Sequence, residues 1–391
     1  MISALFNGWR VNICERITMK LAKYICLLVV AGCFCQNATA QSVVDSELHK
    51  FKVEVLVENL NSPWAMQFMP DGGFLITERP GSLIHIKADG SIIDIKNLPQ
   101  IDTVGQGGLH DVLLDSDFAI NGRIYLCYAA GGFSGFGTEL ASAVLGGDRL
   151  SQVKVLFEAE PKSQGGRHFG CRIVMGKDDH LYLSLGDRGN RKNPQNTNTH
   201  PGSIIRITKQ GEVPLDNPFL QRPDHRPELY SIGNRNPQGM ALHPESGEVW
   251  AHEHGPQGGD ELNIIRAGNN YGWPVITYGA NYGSGSKIGD GTHKKGMQQP
   301  IYYWVPSIAP SGMSFYRGKA FPRWKNSLFV GSLKFRLLVR LEIQGNKVVS
   351  EERMLQDQLG RIRDVRTGPD GLVYLLTDSG NGQLVRLRPV D

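Results

Sequence analysis

Cysteine is scarce in the body of this chain. Of six in 391 residues, four (Cys14, Cys26, Cys33 and Cys35) fall within the first 40, leaving only Cys127 and Cys171. Two cysteines cannot make a disulfide-rich scaffold, and their spacing resembles no zinc site. Each sits in an apolar strand pattern, so two readings stay open: a pair of buried thiols, or one disulfide. Sustained helical periodicity is also lacking. No stretch holds a 3.6-residue apolar repeat, which weighs against a β-sandwich joined to an α/β domain. An excess of one charge is missing too. Residues 1–40 hold four Lys/Arg and one Glu, so 38 basic residues face 37 acidic ones in the remainder. That near-neutral balance gives no reason to expect nucleic acid or an anionic membrane as partner.

The N-terminus reads as an address rather than part of the fold. Lys20 and Lys23 precede the apolar run Tyr24–Phe34, and Ala38-Thr39-Ala40 is a small-residue cleavage pattern. This is a secretory signal over residues 1–40, with Met19 a candidate true start. The run is too short for a transmembrane segment, which needs about 20 residues. Val30-Ala31-Gly32-Cys33 also fits a lipoprotein-type site, so a lipid anchor on Cys33 rivals soluble export.

What the chain has in abundance is turn formers, 47 glycines and 21 prolines, which point to many turns rather than long helices. It also has a loose repeat of strand, Pro/Asp/Gly turn and second strand. The unit occurs from Ala65 (AMQFMPDGGFLITER), Leu109, Cys171, Gly239 and Gly312, and closes with DVRTGPDGLVYLLTD from Asp364. A third strand often follows, as at 81–86, 202–207 and 382–387. Six such units predict an all-β, six-bladed β-propeller over residues 41–391. Residues 51–57 are expected to complete the last blade, with insertions at 130–165 and 274–305.

If the first strand of each unit is innermost, polar residues gather at one rim. Trp64, Gln106, His168, Arg235-Asn236, Ser311, Arg361 and Arg363 precede first strands. Glu78-Arg79, Asp187-Arg188, Glu253-His254-Gly255 and Lys334 follow second ones. Lys334, Arg235, Arg361 and Arg363 would make a cationic rim suited to a polyanion, unless Glu78, Asp187 and Glu253 pair with them. Asp187 faces His168 across one hairpin, where a carboxylate fixes the tautomer of a base. The stretch 231–273 adds glycines, Asp260 and Glu261, which suit an irregular Ca²⁺ site lacking EF-hand spacing.

The motifs GQGGLHDV (105–112), HFG (168–170), RNPQGMALHP (235–244), EHGPQGGDELN (253–263), NYGWP (270–274) and RIRDVRTGPDG (361–371) resemble the soluble quinoprotein glucose/sorbosone dehydrogenase family, in particular its periplasmic aldose sugar dehydrogenases. The likeness runs from about Leu60 to the C-terminus. It implies a six-bladed propeller that oxidises the anomeric hydroxyl of an aldose to a lactone, by hydride transfer to pyrroloquinoline quinone (PQQ), and then reduces an external quinone- or dye-like acceptor. Under that likeness His168 is the general base and Arg235 stabilises negative charge on the quinone. Gln106, Asn236, Tyr282, Ser332, Leu333, Lys334, Arg361, Ile362 and Arg363 bind the cofactor. Carbonyls of Gly255 and Pro256 hold a Ca²⁺ that acts as Lewis acid, and Glu261 with the Tyr271 carbonyl holds a second, structural Ca²⁺. The role of Asp187 as orienter of His168 comes from the hairpin geometry. Cys171 stands where the family more often has Gly, a change that bears on packing behind the base. Segments 131–150 and 283–297 are expected to wall the sugar pocket. The rival functions are a non-enzymatic carbohydrate- or protein-binding propeller and a Ca²⁺-dependent lactone hydrolase; neither calls for the cations at 334, 361 and 363.

Overall fold

Each repeat becomes one twisted antiparallel sheet because its strands are apolar on both faces. The second strands show this most plainly. Strand β12 (Leu181–Leu185), β16 (Val249–Glu253), β20 (Ser327–Ser332) and β24 (Val373–Thr377) are buried at every residue. A sheet buried on two faces must be sandwiched between neighbours, and a ring of sheets provides that without end. The computed structural model describes residues 43–390. The expected signal over residues 1–40, the candidate start at Met19 and the candidate anchor at Cys33 lie outside the described residues.

Six sheets form, five of four strands and one of five. Their innermost strands are β3 (Pro63–Phe68), β7 (Leu109–Leu114), β11 (Gly170–Met175), β15 (Pro237–Leu242), β19 (Pro310–Phe315) and β23 (Ile362–Thr367). Each touches the next and β23 returns to β3, so the expected six-bladed propeller is the fold. The five largest apolar clusters lie in seams between blades. One joins Leu75 and Leu83 to Leu109 and Val112; another joins Tyr125 and Leu140 to Ile173 and Leu183.

The last blade is closed by the start of the chain. Strand β2 (Lys50–Leu60) pairs antiparallel with β25 (Gly382–Pro389), from Phe51–Pro389 to Leu60–Gly382, with register shifts between Val55 and Val57 and between Val57 and Leu60. That is the expected closure, although the strand is longer than 51–57, and β1 (Val43–Asp45) adds an unforeseen fifth strand outside it. Segment 130–165 corrects an expectation. It is the body of blade two rather than an insertion: β8 (Arg123–Gly132), β9 (Gly135–Gly146) and β10 (Arg149–Glu158) are long paired strands. The hairpin tip at Phe133, the turn at Gly147-Asp148 and the stretch 159–169 remain as loop. By contrast 274–301 does lack named strands.

The channel is plugged by charge. Arg172 reaches Asp111 at 3.2 Å and Asp364 at 3.3 Å, while Arg366 reaches Asp364 at 2.9 Å; the first three are almost fully buried. The same carboxylates accept backbone N–H groups across seams, Asp111 from Ile173 and Asp364 from Met66. Ion pairs this deep persist only when their remaining lone pairs are satisfied in this way.

Candidate functional site

Above that plug opens a cavity of about 770 Å³, a size typical of sites for cofactor-sized ligands. All six blades contribute to its wall: Trp64, Gln106 and His110, Phe169, Asn236 and His254, Lys334, and Arg361 with Arg363. Of the rim predicted from strand polarity, Trp64, Arg79, Gln106, Asn236, His254, Lys334, Arg361 and Arg363 line this cavity, whereas His168, Asp187 and Arg235 stand behind its lining residues Phe169, Gly170 and Asn236.

His168 sits at the head of β11, on a backbone with φ 55°; Gly170 (φ 68°) and Cys171 (φ 76°) share the left-handed region. A register shift follows at Gly170–Ile173, so the segment bends into its strand through a bulge, a device that re-aims side chains next to active sites. Gln106 Oε1 accepts from the His168 N–H at 2.8 Å, and Asn236 Oδ1 accepts from the Gly170 N–H at 3.2 Å. The imidazole Nδ1 lies 2.6 Å from Asp187 Oδ1, its side chain 13% exposed. Asp187 also accepts from the Trp273 indole N–H at 2.8 Å and the Gly189 N–H at 2.7 Å. Burial alone would raise its carboxyl, but the His168 hydrogen bond and these donors hold it below the usual range. An ionised carboxylate only accepts, so Nδ1 carries the proton and Nε2 is left as a free lone pair. Burial draws His168 itself below the ordinary imidazole range, with Asp187 opposing and Arg235 assisting. A ring kept neutral near pH 7 is what a base requires.

Arg235 is fixed from behind. The Glu253 carboxylate accepts the N–H groups of Arg235 and Asn236 and the Asn234 side-chain amide. The guanidinium donates to the His254 carbonyl at 3.0 Å and lies 5.4 Å from the Trp273 ring. Trp273 thus supports both the acid partner of the base and the arginine. Sequence reading quoted its motif but gave the indole no task, because its partner is 86 residues away.

The cationic wall has one counter-ion, and it is none of those expected. Asp378 Oδ2 meets Arg361 at 2.6 Å and Arg363 at 3.0 Å. Glu78 instead takes the Asn61 N–H, while Asp187 and Glu253 are engaged as above. Lys334 is exposed and makes no ion pair among the described residues, its ammonium 5.2 Å from the Phe335 ring. Nε of the buried Arg363 has no hydrogen-bond partner among the described residues. Arg79 also lines the cavity with no ion pair among the described residues, and Arg336 pairs with Asp357, so Arg79, Lys334, Arg361 and Arg363 against Asp378 leave about three positive charges for an anion to neutralise. Of the other expected contacts, Leu333 lines the cavity. Ser332 and Ile362 are fully buried, the Ser332 hydroxyl donating to the Ile308 carbonyl and the Ile362 carbonyl accepting from Ser311. Tyr282 is 68% exposed on a surface loop, outside the cavity lining.

Beside Arg235 is a void of about 10 Å³ bounded by Glu253, Gly255, Glu261 and Tyr271. Among the described residues no three His, Cys, Asp or Glu side chains gather as a metal cluster. Any ion here would depend on carbonyl oxygens, and no hydrogen bond among the described residues ends on the carbonyl of Gly255 or Pro256. Gly255 is pressed against the backbone of Gly258 and Gly259, leaving no room for a Cβ. Burial raises Glu253, and burial plus the neighbouring Glu253 raises Glu261 further. Asn234 and Asn263 each bury a side-chain oxygen without a donor. Clustered oxygens with unmet demand for positive charge fit a hard cation.

Comparison with known proteins agrees with this picture. The family model described as Glucose / Sorbosone dehydrogenase matches residues 60–386. Aldose sugar dehydrogenase YliI of Escherichia coli is 44% identical over 344 residues, 86% of this chain and 92% of that protein. The apo-form crystal structure of the soluble aldose sugar dehydrogenase from E. coli superposes with a TM-score of 0.85 at 42% identity, covering 87% of this chain and all of the other. The PQQ-bound aldose sugar dehydrogenase of Streptomyces coelicolor superposes with a TM-score of 0.72 at 26% identity, over 88% and 99% of the two chains. With its fold, its motifs and the greater part of its length in agreement, the chain belongs to the glucose/sorbosone dehydrogenase family.

Proposed function

We propose that this protein is a periplasmic, PQQ-dependent dehydrogenase. It would oxidise the anomeric hydroxyl of an aldose to the lactone and hand the electrons to an external quinone- or dye-like acceptor. The observation that carries the reading is the His168–Asp187 pair, 2.6 Å apart, beside a cavity whose wall is short of negative charge. PQQ, a flat tricarboxylate, suits that wall: Lys334, Arg361 and Arg363 would hold its carboxylates, with the unpartnered Arg363 Nε as one donor. Gln106 and Asn236 flank the base and would position the ring. Carbonyls of Gly255 and Pro256 would hold one Ca²⁺, and Glu261 with the Tyr271 carbonyl a second. When bound, PQQ supplies the hydride acceptor and Ca²⁺ the Lewis acidity that makes it electrophilic.

The chain's own residues do the rest. Nε2 of His168 takes the proton from the C1 hydroxyl, and Asp187 stabilises the imidazolium that results. Arg235 offers positive charge where negative charge develops. Trp64 and Phe169 present apolar walls that exclude water. Export rests on the N-terminal pattern at Lys20, Lys23 and Ala38-Thr39-Ala40, with the Cys33 lipid anchor as rival; mass spectrometry of the mature N-terminus distinguishes them.

Recombinant apo-protein should gain dye-linked aldose oxidation only when PQQ and Ca²⁺ are both supplied. His168→Gln should then lower kcat by on the order of 10²–10⁴ while PQQ binding, read from quinone absorbance, stays intact. Bound quinone with no turnover of any aldose would refute the proposal.

A further inference from the structure

We propose that the Cys127–Cys171 disulfide is a positioning element for His168, holding the left-handed bend that aims the imidazole. The inference rests on His168 being the base. Cys171 is three residues from His168, and Cys127 lies in β8 of the neighbouring blade; both are fully buried, with Cα atoms 5.6 Å apart. The cross-link therefore spans the seam directly behind the base.

The bend needs such a tie. His168 and Cys171 both have φ in the left-handed region, which non-glycine residues occupy only when their surroundings over-determine it. On the N-terminal side the restraints are hydrogen bonds: Gln106 to the His168 N–H, and Arg188 to the carbonyls of Arg167 and Gly165. In the middle, Thr138 donates to the Phe169 carbonyl at 2.6 Å and Arg188 lies 3.4 Å from the Phe169 ring centroid. At the C-terminal end, where φ is 76°, the backbone of a glycine would need no help. This chain has Cys there, and the covalent link to Cys127 supplies the restraint.

The test compares two double variants with the wild type. Cys127→Ala with Cys171→Ser removes the link and keeps a residue that resists the left-handed region. Cys127→Ala with Cys171→Gly removes the link but lets the bend form unaided. The Ser pair should lose about 10- to 100-fold in kcat with sugar KM and PQQ affinity little changed, as expected when a reacting group is misplaced. The Gly pair should recover most of that loss. A second readout needs no turnover: in apo-protein, the strongly deshielded NMR signal of the His168 Nδ1 proton on Asp187, assigned with His168→Gln, should vanish in the Ser pair and return in the Gly pair. If the Ser pair does not fold, wild-type protein reduced by dithiothreitol gives the open state, the reagent closing to its own cyclic disulfide as two thiols form. A Ser pair that melts lower but keeps both kcat and the imidazole signal would reduce the disulfide to a staple between blades. Equal loss in the Ser and Gly pairs would also overturn the proposal. A wild type that oxidises no aldose would defeat the function proposed above, yet the imidazole signal would still report on the bend.

Discussion

Asp187 raises the affinity of His168 for a proton against a burial effect that lowers it. Asp187→Asn should therefore lower kcat by on the order of 10³, since the amide no longer fixes the tautomer or stabilises the imidazolium. It should also move the acid limb of the kcat–pH profile to lower pH; a limb that moved upward would show that Asp187 does not act through the ring. His110 offers a separate pH test. It is buried in the cavity wall, its Nδ1 unpartnered among the described residues, and burial pushes its pKa down to about 3. The unfolded chain binds a proton near pH 6.5 that the folded ring refuses, so its contribution to stability is complete above that pH and falls away toward pH 3. At pH 5 the loss is about 2 kcal/mol. His110→Gln should unfold in denaturant with a smaller drop between pH 7 and 5 than the wild type does, and equal drops would refute the burial argument. At this scale the sequence disclosed His168, Asp187 and the cations, because each flanks a recognisable strand. It concealed Trp273 and Asp378, whose partners are brought close only by the ring.

Among the strands, legibility followed burial. Inner and second strands alternate or run apolar, and all six hairpins were readable. Outer strands carry little pattern: β10 is exposed over most of its length, and β6 (Ile92–Asp94) and β18 (Tyr302–Trp304) span three residues each. The outer part of blade two, 130–165, was misread as an insertion for that reason, since β8 and β9 run longer than the repeat led one to expect and β10 is largely exposed. The closing strand β2 was legible from its alternation, and its anchor can be tested. Phe51 is fully buried, edge-on to Trp324 at 5.7 Å and to Phe321 at 6.4 Å. Phe51→Ala should cost about 3–5 kcal/mol in a denaturant titration, a large effect for a residue near the start of the described residues. A change under about 1 kcal/mol would mean that β2 is dispensable to the last blade, since truncations of a buried Phe fall well above that.

At the level of the whole molecule, the cavity cannot exist on fewer blades than six, because every blade donates a wall residue. Asp364 binds three of them together: its own, blade one through the Met66 N–H, and blade three through Arg172. Asp364→Ala would strand Arg172 and Arg366 with one buried carboxylate between them, and should destabilise the fold by about 3–5 kcal/mol. Denaturant unfolding measures this, and a neutral outcome would mean that the channel plug is ornamental. The pairing of β2 with β25 has a consequence in time as well as in space. Strand β2 finds its mate in β25, which is made only after all the intervening blades, so one of its edges waits unpaired while they are synthesised. A chain halted before Gly382 is an open horseshoe with a sticky rim, and whatever escorts the nascent polypeptide must shield that rim until the eight-residue β25 arrives.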